Sequence, residues 1–162
     1  DQGPFIIRYP RGHGILSDWR KPFNPVVIGT GRKIKDGDDI AVLSIGPIGN
    51  LAEQAIETWE KESGKTAALY DMRFLKPIDT SILKEVGNRY SRIITIENGT
   101  VTGGLGSAVV EYMADNGLHP VIRRMGLPDR FVEHGSTPQL LHLCHIDCDA
   151  IISTLRELTS EP

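Results

Sequence analysis

The sequence predicts an α/β fold, a three-layer sandwich in which helices cover both faces of a mostly parallel sheet. Three observations predict it. Short apolar runs recur that are too brief to be helices and too continuous to alternate, as expected of strands buried on both faces. Between them lie stretches with apolar residues at helical spacing. Strand and helix alternate in order from residue 39 onward, which implies crossover connections and a sheet covered on both sides.

Residues 1 to about 35 stand apart. Phe5-Ile6-Ile7-Arg8-Tyr9 has the composition of a short strand, halted by Pro10. Gly12, Gly14, Pro22, Pro25, Gly29 and Gly31 then punctuate an extended connector. This part reads as the last strand of a preceding domain plus a linker. The opening residues lack the basic and apolar pattern of a signal peptide and do not include an initial Met. They read as a chain continued from something longer.

The remainder, residues 36–162, reads as one domain. Ile40 to Ile45 is the first buried strand. A helix is expected from Leu51 to about Lys61, with Ala52, Ala55, Ile56 and Trp59 on its apolar face and Gly64 as its stop. Thr66 to Tyr70 is the second strand. Pro77 and Asp79 lead into a helix carrying Ile82, Leu83 and Val86. Arg92 to Ile96 is rich in β-branched residues and forms the third strand. A Gly-rich turn through Gly106 opens a helix striped by Ala108, Val109, Tyr112 and Met113. Pro120 to Arg124 is the fourth strand. Two helices finish the chain, Thr137 to Leu143 and Asp149 to about Leu158, the latter turning Ile151, Ile152 and Leu155 inward. Asp149 near its start suits the helix dipole.

Composition excludes several function classes. Net charge is −3 and the basic residues are scattered, so no stripe suited to a phosphate backbone exists. No apolar run approaches the roughly 20 residues needed to span a bilayer. Cys144 and Cys148 are too close in sequence for a secreted disulfide framework and read as reduced thiols of a cytoplasmic protein.

Candidate functional residues each admit a structural reading. Arg8 and Arg11 flank Tyr9-Pro10, and guanidinium groups bind phosphate well. Residues three apart on an extended chain face opposite ways, so one ligand engages at most one of the two. Gly103-Gly104-Leu105-Gly106-Ser107 sits where a helix N-terminus could take a phosphate. It lacks the third dinucleotide-binding Gly, whose place Val109 holds, and no Lys follows to make a P-loop. A tight turn with close helix–sheet packing is the better reading. Asp71 and Glu97 follow strands at the carboxyl edge of the sheet, where ligands bind in such folds. Capping helices, or pairing with Arg73 and Lys76, is the commoner fate of such carboxylates. His142, Cys144, His145 and Cys148 carry zinc-ligating atoms, but all four lie in one short segment. Zinc sites usually draw pairs of ligands from separated segments, so helix packing and surface histidines are expected instead. No nucleophile elbow or catalytic Cys/His pair is visible.

Taken together, several stretches resemble the 1-deoxy-D-xylulose-5-phosphate synthase family. They are Arg8-Tyr9-Pro10-Arg11-Gly12, then Asp71-Met72-Arg73-Phe74 with Lys76-Pro77 and Asp79, then Thr102 to Ser107, then Gly126-Leu127-Pro128-Asp129. They occur in order over nearly the whole chain, and the second combined with the last is specific. Asn98-Gly99 and Glu133-His134-Gly135-Ser136 depart from the family pattern. The resemblance implies a transketolase-type carboxy-terminal domain, expected to be inactive alone. Its enzyme condenses pyruvate with glyceraldehyde 3-phosphate, losing carbon dioxide, for isoprenoid, thiamine and pyridoxal synthesis. It further implies that thiamine diphosphate and Mg2+ are held by the amino-terminal domain and the activating Glu by the middle domain. Both domains are then partners of this one, in a homodimer. No catalytic residue is implied within this stretch. Arg11 alone is implied to touch substrate, at the phosphate of the acceptor. Two rival readings are the matching domain of a transketolase or 2-oxo acid dehydrogenase decarboxylase subunit, and a free-standing α/β anion-binding module.

Overall fold

A computed structural model describes residues 24–160 together with residues 3, 4, 6, 7, 9, 20 and 22. A continuous apolar segment, Ile40–Ile45 (β2), forms the centre of the structure, and every side chain from Ile40 to Leu43 is fully buried. Its neighbours are parallel: β3 (Ala67–Asp71) on one side and β4 (Arg92–Thr100) on the other, with β5 (Val121–Leu127) beyond β4. One more strand, β1 (Arg32–Lys35), pairs antiparallel with β3, so the sheet order is β1-β3-β2-β4-β5.

Alternation along the strands divides the core into two layers. Ile40, Val42, Leu69, Ile94 and Ile96 pack against α1 (Ile48–Ser63) and α5 (Cys148–Ser160). Ala41, Leu43, Tyr70 and Ile93 pack against α2 (Thr80–Arg89) and α3 (Leu105–Asp115). The three-layer sandwich is therefore as the sequence predicts. The short helix α4 (Thr137–Leu143) has the expected bounds. Helix α1 ends at Gly64, whose φ of 70° lets its N–H bond the Glu60 carbonyl.

Strand β1 lies where a connector was expected. Its sequence, Arg-Lys-Ile-Lys, has no apolar run to announce it. An edge strand needs none, because one side of it faces solvent, and lysines on an edge discourage pairing with other chains. Its cations are matched by the neighbouring strand and by helices α2 and α1: Arg32 Nε lies 3.2 Å from Asp71, Lys33 Nζ 2.7 Å from Glu85 and Lys35 Nζ 2.9 Å from Glu60. Of the strand expected over Phe5–Tyr9, the described Ile6, Ile7 and Tyr9 are exposed and in no strand. No strand among the described residues offers them a ladder. Phe5, Arg8, Pro10, Arg11, Gly12 and Gly14 lie outside the described residues. No helix among the described residues is long and apolar enough to cross a membrane.

Candidate functional site

Parallel strands bring their carboxyl ends to one edge, and there the loops after β2, β3, β4 and β5 gather. Glu97 stands on this edge near the end of the buried part of β4 and is itself 4% exposed. A carboxylate this buried needs partners. Its two oxygens accept the N–H of Leu105, at 2.9 Å, and of Gly106, at 3.0 Å. These are first-turn donors of α3, left free by helix geometry and favourably placed for a negative charge. The site that could have taken a phosphate is thus filled by the protein's own carboxylate.

The Gly-rich turn is shaped by that contact. A Cβ on Gly104 would overlap Glu97 Oε2, and one on Gly106 would come within 2.8 Å of Thr95 Oγ1. Close approach of helix to sheet explains both glycines. Arg124 seals the turn from β5, its guanidinium donating to the Val101 carbonyl at 3.1 Å and to Ser107 Oγ at 3.2 Å. Arg124 was not marked by the sequence, in which one arginine among many has no distinguishing signal.

Asp71 ends β3, separated from Glu97 by the intervening strand β2. Two strand spacings put their backbones about 10 Å apart. Asp71 is engaged by Arg32 Nε and by the N–H of Arg73 at 3.2 Å. The two carboxylates therefore serve separate structural contacts and do not converge as an acid–base pair.

Asp79 holds two segments together. Its Oδ1 accepts the N–H groups of Ser81 and Ile82, capping α2, and its Oδ2 accepts the Gly31 N–H at 2.9 Å. The Lys76–Pro77 peptide bond just before it is cis. The Asp71-to-Asp79 motif is accordingly a clasp that fastens the incoming chain and β1 to the end of β3.

The Cys/His segment does not assemble. Cys144 and Cys148 pack against the apolar cluster beneath α1 and α5. Burial pushes the Cys148 thiol up, with Asp149 and Asp147 adding to it. His142 Nδ1 lies 2.6 Å from Asp147 Oδ2, and Asp147 Oδ1 accepts the Ala150 N–H at 2.9 Å. Asp147 caps α5, and Asp149 lies in the first turn of that helix, as expected. An Asp immediately before the helix was the available signal. Burial pushes the Asp147 carboxyl up, but the Ala150 N–H and the His142 ring outweigh it and hold it below the ordinary value. Among the described residues no group of three or more His, Cys, Asp or Glu is placed to hold a metal ion.

An apolar cleft of about 240 Å³ lies on this edge, between α4 and the ends of β4 and β5. Asn98, Leu127, Val132, Leu140, Leu141 and Cys144 line it. It has no titratable pair and no convergent donors suited to catalysis. A shallower depression beside it is bordered by Glu133, His134, Gln139 and His142. Arg11, the substrate-contacting candidate, lies outside the described residues.

A family model described as transketolase, C-terminal domain, matches residues 29–151. A 1-deoxy-D-xylulose-5-phosphate synthase of Bacteroides fragilis is 54% identical over 155 residues, covering 96% of this chain and 24% of that protein. One of Parabacteroides distasonis is 55% identical over 155 residues with the same coverage. The chain thus spans about 24% of the length of these curated relatives. Among solved structures, a split gene transketolase described as an inactive beta4 tetramer superposes with TM-score 0.73 at 32% identity, covering 85% of this chain and 44% of that one. A transketolase of Campylobacter jejuni superposes with TM-score 0.58 at 13% identity, over 85% of this chain and 20% of that one, a likeness of fold alone.

Proposed function

The chain belongs to the transketolase C-terminal domain family, and from that premise we propose that it is the carboxy-terminal domain of a thiamine-diphosphate-dependent 1-deoxy-D-xylulose-5-phosphate synthase. The observation that carries this reading is the likeness to synthases over 96% of the chain, with the Asp71-to-Asp79 clasp and the Gly126-Leu127-Pro128-Asp129 stretch inside it. The complete enzyme condenses pyruvate with glyceraldehyde 3-phosphate and releases carbon dioxide, supplying isoprenoid, thiamine and pyridoxal synthesis in the cytoplasm. It works as a homodimer, and this domain supports the assembly without catalysing anything alone.

Thiamine diphosphate, with Mg2+, supplies the carbon nucleophile of the reaction. The described residues do not fit that cofactor. The α3 N-terminus that could hold a diphosphate is filled by Glu97, and no cluster of metal-ligating side chains is present among them. Other domains of the same chain hold the group in this reading. Arg11 contributes from the connector by binding the acceptor phosphate, a role suited to a guanidinium fork. The residues ahead of the clasp form the end of a preceding domain and its linker. Membership of β1 in the sheet supports a join a few residues before 35.

The test is turnover by the full-length polypeptide with pyruvate, glyceraldehyde 3-phosphate, thiamine diphosphate and magnesium. Release of carbon dioxide with formation of 1-deoxy-D-xylulose 5-phosphate is expected. A correctly folded enzyme that forms neither product overturns the assignment.

A further inference from the structure

We propose that the Asn98–Gly99 peptide is a modification site, at which the Asn98 side-chain amide is lost to water and the residue becomes aspartate or isoaspartate. The reaction needs no enzyme and no redox partner. The backbone nitrogen of Gly99 attacks Cγ of Asn98 and closes a succinimide ring as the Cγ–Nδ2 bond breaks. Nδ2 leaves as ammonia, taking with it the proton of the attacking nitrogen. Water then opens the ring at one carbonyl, giving aspartate, or at the other, giving isoaspartate with the backbone rerouted through the side chain. Glycine suits the second position, because without a Cβ its nitrogen is unhindered and its backbone is free to adopt the closing geometry.

The sequence holds this dipeptide twice, at Asn98–Gly99 and at Asn116–Gly117, and the fold treats the two differently. Asn116 caps the carboxyl end of α3 with both reacting groups engaged. Its Nδ2 donates to the Tyr112 carbonyl at 2.8 Å, and the Gly117 N–H donates to the Ala114 carbonyl at 3.2 Å. Ring closure there must break both. Asn98 is exposed near the end of β4, and among the described residues its side chain makes no hydrogen bond. Nor does the sheet grip it. Pairing with β2 ends at Glu97, while pairing with β5 breaks after Ile96 and resumes at Thr100. Asn98 and Gly99 fall in that gap, where a locally disrupted ladder lets the strand bend. The place also matters to the fold: a Cβ on Gly126 would come within 2.9 Å of the Gly99 carbonyl oxygen. Isoaspartate lengthens the backbone at this close crossing and sets a carboxylate on the rim of the cleft lined by Leu127, Leu140 and Leu141. Conversion therefore loosens the junction of β4 with β5.

The test holds the full-length protein at neutral pH for several weeks and follows residues 98 and 116 by peptide mapping. Electron-transfer fragmentation tells isoaspartate from aspartate in each peptide. A parallel sample is kept unfolded in guanidinium chloride. In the native sample residue 98 is expected to convert about tenfold or more faster than residue 116, since two hydrogen bonds must open at Asn116. In guanidinium chloride the two should convert at similar rates, because the same dipeptide is then equally free in both places. Ammonia release from the native protein should fall with Asn98→Gln and stay unchanged with Asn116→Gln. A native residue 98 that reacts no faster than residue 116 overturns the proposal. So does the same ratio of rates in guanidinium chloride, which would trace the difference to local sequence and not to the fold.

Discussion

Gly104 has no side chain because the carboxylate of Glu97 occupies the space beside it. A Cβ there would overlap Glu97 Oε2 and the Thr100 carbonyl. The carboxylate cannot withdraw without abandoning the Leu105 and Gly106 N–H groups in a buried setting. The relationship turns what looks like a ligand loop into a structural joint between β4 and α3.

Replacing Gly104 should therefore test the joint directly. Gly104→Ala is expected to destabilise the chain by about 1–3 kcal/mol, the usual cost of overpacking. Glu97→Gln keeps the size but removes the charge from the helix N-terminus and leaves one N–H facing an amide donor. Its cost should be about 1–3 kcal/mol as well. Urea midpoints at unchanged m-value measure both. A Gly104→Ala protein as stable as the parent would show that the turn has room to spare.

Asp79 serves α2 and the incoming chain at once, so its loss should exceed that of a simple cap. Asp79→Ala removes the acceptor for Ser81 and Ile82 and leaves the Gly31 N–H unmatched. About 2–4 kcal/mol is expected, against roughly 1 for a cap alone. Hydrogen exchange should quicken at residues 29–35 as well as in the first turn of α2. Faster exchange confined to α2 would mean that the clasp to Gly31 carries no energy.

Acid should weaken the fold through two carboxylates. The Lys33 ammonium, 2.7 Å away, together with the Tyr70 hydroxyl holds the Glu85 carboxyl below its ordinary 4.5, against the opposing effect of burial. Asp147 is likewise lowered, as its partners outweigh burial. A group whose pKa is lower in the folded state binds protons more readily when unfolded, so stability is full above the unfolded value and falls as pH drops through the folded one. The decline is expected below about pH 4.5. Glu85→Gln and Asp147→Asn should each flatten it in denaturation curves taken from pH 6 to pH 2. An unaltered slope in both would assign the acid sensitivity to other groups.

In the complete enzyme, Arg11→Ala should raise KM for glyceraldehyde 3-phosphate while leaving KM for pyruvate near its parent value. Loss of one charged phosphate contact costs about 1.5–3 kcal/mol, or roughly 10- to 150-fold. Arg11→Lys should recover part of it, since charge survives but the bidentate fork does not. An unchanged KM for the phosphorylated substrate removes Arg11 from the site.

Much of this architecture was legible in the residues alone, for physical reasons particular to each element. Ile40 to Ile45 could only be a strand buried on both faces, and Gly64 and Asp79 announced a helix end and a helix start through their backbone chemistry. These are local properties, determined by composition and period over a few residues. Strand β1 escaped because an edge strand of Arg and Lys is held by ion pairs to Asp71, Glu85 and Glu60, which come from distant parts of the chain. For Glu97 the sequence favoured a structural role such as capping over catalysis, but it could not name the groups that the carboxylate would meet. Only tertiary structure, by bringing the first turn of α3 against β4, committed its charge to two backbone N–H groups. It also put the entry of the chain and the cleft beside α4 on one edge, because strand direction is a property of the assembled sheet and not of any strand within it.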